Sequence, residues 1–238
     1  MDQTESATSI VVGIDGSDAA LNAARWAVPE ASARDLPLRL VYAVATPRAD
    51  SPPGDGDLDT EYGQTALRAA CAAVHETGRP VKIETDLLAR LPSQVLIDES
   101  RSAAMVCVGS VGFGRLARRV IGSTAADVAQ RAHCPAAVIR TNRGAGMPDS
   151  GSIAVVVDDS ADNDLVLEQG FREAELRGAP ILALGVWRWG FGEIPYSQLN
   201  HRLSRWVTQH PGVHVRPAAA RDGAAEFLSG TQEAVQLA

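Results

Sequence analysis

Cysteine is scarce: Cys71, Cys107 and Cys134 are the three in the chain. An odd set at wide spacing suits neither a disulfide framework nor a zinc site, so reduced and mostly buried thiols are expected. No apolar run approaches the ~18 residues that a membrane-spanning helix needs. The opening MDQTESAT is polar and acidic rather than basic and then apolar, and the expectation is a cytoplasmic protein with no membrane partner. Positive charge is also short. A net charge of −7 lacks the basic footprint on which general nucleic-acid binding depends, with one local exception at Arg115, Arg118 and Arg119. No GxxxxGK[ST] stretch occurs, which excludes a P-loop. His210 and His214 are four apart, but Pro211-Gly212 interrupts any helix that would join them as ligands, so no metal site is expected. His133-Cys134-Pro135 places a base beside a thiol on a chain entering a strand, a poor geometry for a nucleophile and base pair. No catalytic residue is assigned. For Trp187 and Trp189 an exposed partner patch and core packing at a strand end stay equally open.

What is there reads as ordinary globular material. Hydrophobic residues make up 45% and charged residues 21% of the 238, which excludes wholesale disorder and a fibrous fold and leaves room for one large domain or two modest ones. The β-branched run Ile10 to Ile14 ends at Asp15-Gly16-Ser17, and Ala19 to Arg34 then has helical composition behind a Ser/Asp start. Pro37 leads into a second strand, Leu38 to Val44. The Pro/Gly/Asp stretch 46–59 predicts a long loop, a lid or flap by its length. Helix 61–77, strand 81–87, helix 93–100, strand 104–108, helix 123–132 and strand 136–140 complete a first unit. Strands alternating with helices predict a parallel sheet covered on both faces.

TNRGAGMPDSGS, residues 141–152, has linker composition. The opening pattern then returns: Ile153, Asp158, Ser160, Glu173, Ala174, Arg177 and Pro180 repeat Ile10, Asp15, Ser17, Glu30, Ala31, Arg34 and Pro37 at one constant offset. Identities at a single offset, strand on strand and helix on helix, signal an internal duplication. Val213 to Pro217 answers to the third strand, Ala224 to Leu228 to the helix near Gln94, and Val235 to Ala238 to the start of the fourth strand. The second copy is therefore expected to be incomplete. The predicted divisions are a polar tail at 1–8, a first domain at 9–141, a linker at 142–151 and a shortened copy at 152–238.

The chemistry concentrates at Val106 to Thr124, VCVGSVGFGRLARRVIGST. Glycines let a backbone come close enough to a phosphate for its N–H groups to bond it. A helix starting near Gly122-Ser123-Thr124 adds a positive dipole end and hydroxyls. In an open parallel sheet the ligand crevice lies beyond the carboxyl ends of the strands, where Asp15, Ala43 and Gly109 fall. A nucleotide is the expected ligand, with Arg115 as a charge-assisted phosphate contact. Gly112-Phe113-Gly114-Arg115-Leu116-Ala117 satisfies GxGxxA, yet it follows the fourth strand rather than the first, so a dinucleotide is not expected.

Gly109, Gly112, Gly122 and Ser123 fit G-x2-G-x9-G-[ST] at every position. With IVVGIDGS at 10–17, LRLVYAV at 38–44 and AHCPAAVIR at 132–140, the chain resembles the universal stress proteins in their tandem two-domain form. The resemblance implies an α/β fold: an open, twisted, parallel five-stranded sheet of order 3-2-1-4-5 that binds ATP, with Mg²⁺, in the absence of a P-loop. It places Asp15 near the ribose and any metal, the backbone of Ala43 at the adenine and Gly13 beside the nucleotide. Gly109, Ser110, Val111, Gly112, Phe113, Gly114 and Arg115 would wrap the phosphates, and Gly122, Ser123 and Thr124 would receive them at the helix start. The second copy has Val156 at the place of Gly13 and no phosphate loop, so at most one ATP per chain is expected, with Asp158 and Ser160 vestigial.

Three functions follow. The leading one is an ATP-binding stress or regulatory protein in which occupancy biases partner or oligomer choice. A slow ATPase is the second, although only Asp15 is a candidate to activate water. The third is an interaction module with an idle site. The resemblance implies pairing along last strands, so homodimerisation or another protein contact is expected through the edge at Ala136 to Arg140.

Overall fold

The structure is a computed structural model that describes residues 8–44, 55–110, 121–140, 151–186, 196–220, 223–231 and 234–238. Residues 1–7 of the expected tail at 1–8, residues 142–150 of the expected linker at 142–151, and Trp187 with Trp189 lie outside the described residues. The chain divides into two compact units with the boundary after Thr141.

The first unit runs β1 (Ile10–Ile14), α1 (Asp18–Arg34), β2 (Leu38–Val44), α2 (Asp55–His75), β3 (Ile83–Ala89), α3 (Pro92–Glu99), β4 (Met105–Gly109), α4 (Ser123–Arg131) and β5 (Ala136–Ile139). Its five strands are all parallel in the order β3-β2-β1-β4-β5. β1, β2 and β4 are short, mostly apolar runs buried in the middle of the sheet, as parallel strands covered on both faces should be. α1 packs with α2, and α3 packs with α4. The crossovers therefore change face between β1 and β4, which makes the carboxyl end of those two strands the switch point of the fold.

Local chemistry explains the start of α1. Ser17 is extended (φ −77°, ψ 156°) and its hydroxyl accepts from the Ala20 N–H at 3.2 Å, which caps one of the helix's orphan donors. Asp18 adds an acidic first turn, favourable at the positive end of the dipole. The buried stripe Ala19, Ala20, Ala23, Ala24, Ala27 and Ala31 carries no side chain longer than a methyl, so the helix axis lies close against the sheet. Buried Glu30 forms an ion pair with Arg34 one turn on, and Glu173 with Arg177 repeats it at 3.0 Å in the second unit.

Two expectations need correction. Part of the predicted loop at 46–59 is helix: α2 already begins at Asp55, and residues 45–54 lie outside the described residues. Asp59, read as loop composition, lies near the start of that helix and accepts from the Tyr42 hydroxyl at 3.1 Å. The third strand spans 83–89 rather than 81–87, because its register is fixed by pairing Ile83 with Leu38 and Ala89 with Val44.

The second unit comprises β6 (Ser152–Val157), α5 (Asn163–Arg177), β7 (Ile181–Gly185), α6 (Tyr196–Gln209), β8 (Val215–Ala219), α7 (Ala224–Gly230) and β9 (Val235–Leu237). Its parallel strands are ordered β8-β7-β6-β9, so β9 stands beside β6 as β4 stands beside β1. Phe171 is fully buried among Leu167, Leu199 and Leu203 and stacks on Trp206 at 5.9 Å. His210 lies against the same ring at 5.0 Å and bonds Glu175 through Nδ1 at 2.7 Å. His210 is thus part of an aromatic stack, apart from His214, whose carbonyl accepts from the Ile181 N–H.

Candidate functional site

The ladder between β1 and β4 is short. Pairing begins at Ile10 with Met105 and stops at Val12 with Cys107, whereas β1 pairs with β2 as far as Ile14 and β4 pairs with β5 as far as Gly109. The last two residues of β1 and of β4 are therefore held by their outer neighbours and not by each other. A cleft of about 320 Å³ opens there, within the size range of small-molecule sites. Gly13, Ile14 and Asp15 line it from β1, Tyr42 and Ala43 from β2, Val108 and Gly109 from β4, and Gly122, Ser123 and Thr124 from the start of α4. Pro92, Val95 and Leu96 of α3 form the apolar side.

The two strand glycines of the cleft, Gly13 and Gly109, look in opposite directions. A Cβ on Gly13 would stand 2.8 Å from the Leu96 Cδ1 and 3.4 Å from Val108, so it would press on the α3 side of the cleft. A Cβ on Gly109 would stand 2.7 Å from both the carbonyl carbon and the Cβ of Ala19, on the α1 face. Gly109 is thus required by close packing of α1 on the sheet, while its backbone borders the cleft.

Asp15 is exposed, and its Oδ1 accepts from the Ser17 N–H at 3.0 Å and from the Ser17 hydroxyl at 2.6 Å. Gly16, at φ 81°, supplies the left-handed residue of this turn. The second unit repeats the two hydrogen bonds without a left-handed residue, Asp159 standing at the place of Gly16: Asp158 Oδ1 accepts from the Ser160 N–H at 2.9 Å and its hydroxyl at 2.6 Å. There, however, α5 begins only at Asn163, and its cap residue Asp162 makes no side-chain cap bond. Asn163, at the repeat position of cleft-lining Ala20, is buried and donates its amide to the Val156 carbonyl at 2.9 Å.

Backbone alternation orients Ala43. The Ile10 N–H bonds the Pro37 carbonyl and the Leu38 N–H bonds the Lys82 carbonyl, so odd-numbered residues of β2 present their peptide groups to β1. Ala43 therefore faces β1 at the point where that strand ends. At the other end of the cleft, the Ser110 N–H is spent on the Ile139 carbonyl at 2.8 Å, and the Gly122 N–H on the Ser110 carbonyl at 2.7 Å. This contact sets Gly122 against Ser110 beside the end of β4. Val111, Gly112, Phe113, Gly114 and Arg115, with Arg118 and Arg119, lie outside the described residues. α4 then starts at Ser123 behind Gly122, an N-cap with no side chain to offer, so the N–H groups of Ser123, Thr124 and Ala125 are the orphan donors of its first turn.

Cys134 and His133 do not form a catalytic couple. The Cys134 thiol bonds the Pro135 carbonyl at 3.5 Å, and burial pushes its pKa up to about 11. The His133 N–H is bound by the Ser100 hydroxyl. Sequence reasoning missed Tyr42 and Leu96 as cleft residues, because neither carries a motif; only the register of β2 and the lie of α3 bring them there.

Comparison with known proteins follows the same outline. The universal stress protein family pattern matches residues 7–140. Universal stress protein Rv2624c of Mycobacterium tuberculosis is 46% identical over 230 residues, covering 97% of this chain and 84% of that protein. A crystal structure of a universal stress protein from Archaeoglobus fulgidus superposes with a TM-score of 0.69 over 90% of this chain and 78% of that one, at 15% identity, a likeness of fold. A solved universal stress protein in complex with cAMP is 28% identical and covers 57% of this chain and 98% of that chain, with a TM-score of 0.47. On the family match, which spans the first unit, and on the long alignment with its mycobacterial relative, the chain belongs to the universal stress protein family.

Proposed function

We propose that the first unit binds one ATP per chain and that occupancy serves regulation rather than turnover. The observation that supports this most directly is the splayed end of β1 and β4, with an uncapped helix start on one side and a strand-end backbone on the other. The Ala43 peptide group faces the adenine. Asp15 keeps its second oxygen for the ribose or for a cation, and Ser123 and Thr124 receive the phosphates with their N–H groups and hydroxyls. Gly109 to Arg115 would wrap the remaining phosphate oxygens. One carboxylate with substrate phosphates is a common Mg²⁺ arrangement, so Asp15 fits a metal that arrives with the nucleotide. The second unit has no nucleotide of its own: Val156 replaces Gly13, and Asn163 occupies the crevice side of β6. The free edge of β5 is the surface for homodimerisation or another protein partner.

Calorimetric titration of ATP tests this on wild type and Gly13→Val, a residue the second unit already carries at the repeat position. The valine drives Leu96 into the cleft, and affinity should fall at least tenfold, or about 1.4 kcal/mol. Absence of binding by wild type at millimolar ATP would overturn the reading.

A further inference from the structure

Arg39 is the one charged residue of β2. On the same face of the strand Val41 and Ala43 pack with Val95 and Leu96 of α3, while the Arg39 guanidinium donates from Nε to Asp86 of β3 and from Nη1 to Glu99 at the last turn of α3. The Arg39 and Glu99 side chains are 23% and 20% exposed, so the pair is largely sheltered from water. α3 is eight residues long and starts behind Leu91 with no side-chain cap bond. Pro92, Val95, Leu96 and Glu99 follow the i, i+3, i+4, i+7 spacing of a single helix stripe, and the first three of them line the cleft. Apolar contact alone fixes the rotation of so short a helix poorly, because buried Ile97 widens its apolar surface beyond the stripe. A charge at the end of the stripe with one fixed partner sets that register.

The duplication supplies the contrast. At the repeat position of Arg39 the second unit carries Leu182, 2% exposed and packed in an apolar cluster with Phe227 and Leu228 of α7. Ala218 takes the place of Asp86, standing opposite Leu184 as Asp86 stands opposite Val41. The same sheet is therefore built with apolar residues at these positions, and exchanging a sheltered ion pair for apolar groups is often neutral or stabilising. Arg39 and Asp86 occur in the unit that has Gly13, and Leu182 and Ala218 in the unit that has Val156. We propose that Arg39 is a positioning residue for the cleft: through Glu99 it sets the rotation of α3, and so holds Leu96 over Gly13 and keeps the apolar wall in place for the base of the nucleotide. The inference rests on the nucleotide reading of the cleft. Arg39 lies near the amino end of β2 and does not itself line the cleft.

The test is a triple variant of the full chain, Arg39→Leu with Asp86→Ala and Glu99→Leu, which replaces the cluster by apolar residues, two of them those of the second unit. Its urea midpoint should be no lower than that of wild type. Hydrogen exchange at residues 93–97 should nevertheless be at least about threefold faster, with residues 66–74 of α2 unchanged, and calorimetry should find ATP bound at least about threefold more weakly. Arg39→Leu alone should weaken ATP binding, and adding Glu99→Leu should weaken it no further, because the two act as one pair. Wild-type affinity in the triple variant overturns the positioning role, as do additive losses from the two single changes. A loss of affinity matched by a lower midpoint assigns the cluster to folding and overturns it as well. If wild type binds no ATP, the nucleotide reading falls and exchange decides the setting of α3: faster exchange at 93–97 in the triple variant upholds it, and unchanged exchange overturns it.

Discussion

Gly109→Ala separates packing from phosphate contact at a position where motif spacing alone points to the ligand. The added Cβ meets the carbonyl carbon and Cβ of Ala19 at 2.7 Å and its carbonyl oxygen at 2.9 Å. These are backbone or backbone-fixed atoms of α1, so no side-chain rotation relieves the clash and the helix itself must move. Overpacking of this kind costs about 1–3 kcal/mol. Gly109 is not among the positive-φ glycines, so alanine is allowed by its backbone, and the smaller entropy of the unfolded chain returns about 0.4–1 kcal/mol. The clash wins, and the net loss should be roughly 1–2 kcal/mol. For a unit of this size that corresponds to a fall in Tm of about 2–8 °C. The assay is urea unfolding followed by circular dichroism, in which the midpoint should drop with an unchanged m-value. Stability within about 0.5 kcal/mol of wild type, the range of an inconsequential surface change, would refute the packing argument. Lost ATP affinity in that stable variant would return Gly109 to the phosphates.

Further outcomes follow from the duplication and the cores. Ser17→Ala removes a working N-cap and should cost about 1 kcal/mol, whereas Ser160→Ala, at the repeat position but not capping α5, should cost less than about 0.5 kcal/mol; paired denaturation curves check the difference. Phe171→Ala empties the stack with Trp206 and should cost about 3–5 kcal/mol, seen as loss of near-UV dichroism from Trp206. Because the folded Cys134 thiol is held near 11 against an ordinary 9.0, the native state keeps its proton longer than the unfolded chain. Its contribution to stability is therefore full below pH 9 and declines between pH 9 and 11. Cys134→Ser should flatten that alkaline limb, and iodoacetamide should label native Cys134 slowly at neutral pH.

The alternation of strands and helices was legible because buried parallel strands must be apolar on both faces, and the repeat of Asp15 and Ser17 at Asp158 and Ser160 reproduces the same two hydrogen bonds. What the pattern concealed was tertiary. The start of α2 reads as loop because Asp55, Gly56 and Asp57 are poor helix formers, yet the chain is helical there and Asp59 is tied to Tyr42 of β2. The direction of a missing Cβ is likewise invisible in a motif: Gly13 and Gly109 look alike in sequence and face opposite sides of the sheet. In the second unit α5 starts at Asn163 rather than just after Ser160, and the Asn163 side chain turns to the Val156 carbonyl.

The short ladder between β1 and β4 also has a mechanical meaning. It divides the first sheet into two rafts, β3-β2-β1 and β4-β5, joined along a seam that ends at Val12 and Cys107, while β2 and β3 are bound along their whole length. Under shear or tension this seam is the line along which the sheet parts first. A molecule lodged in the cleft, held by Ala43 on one raft and the start of α4 on the other, would act as a rivet across it, so pulling experiments should find a higher parting force with the cleft filled.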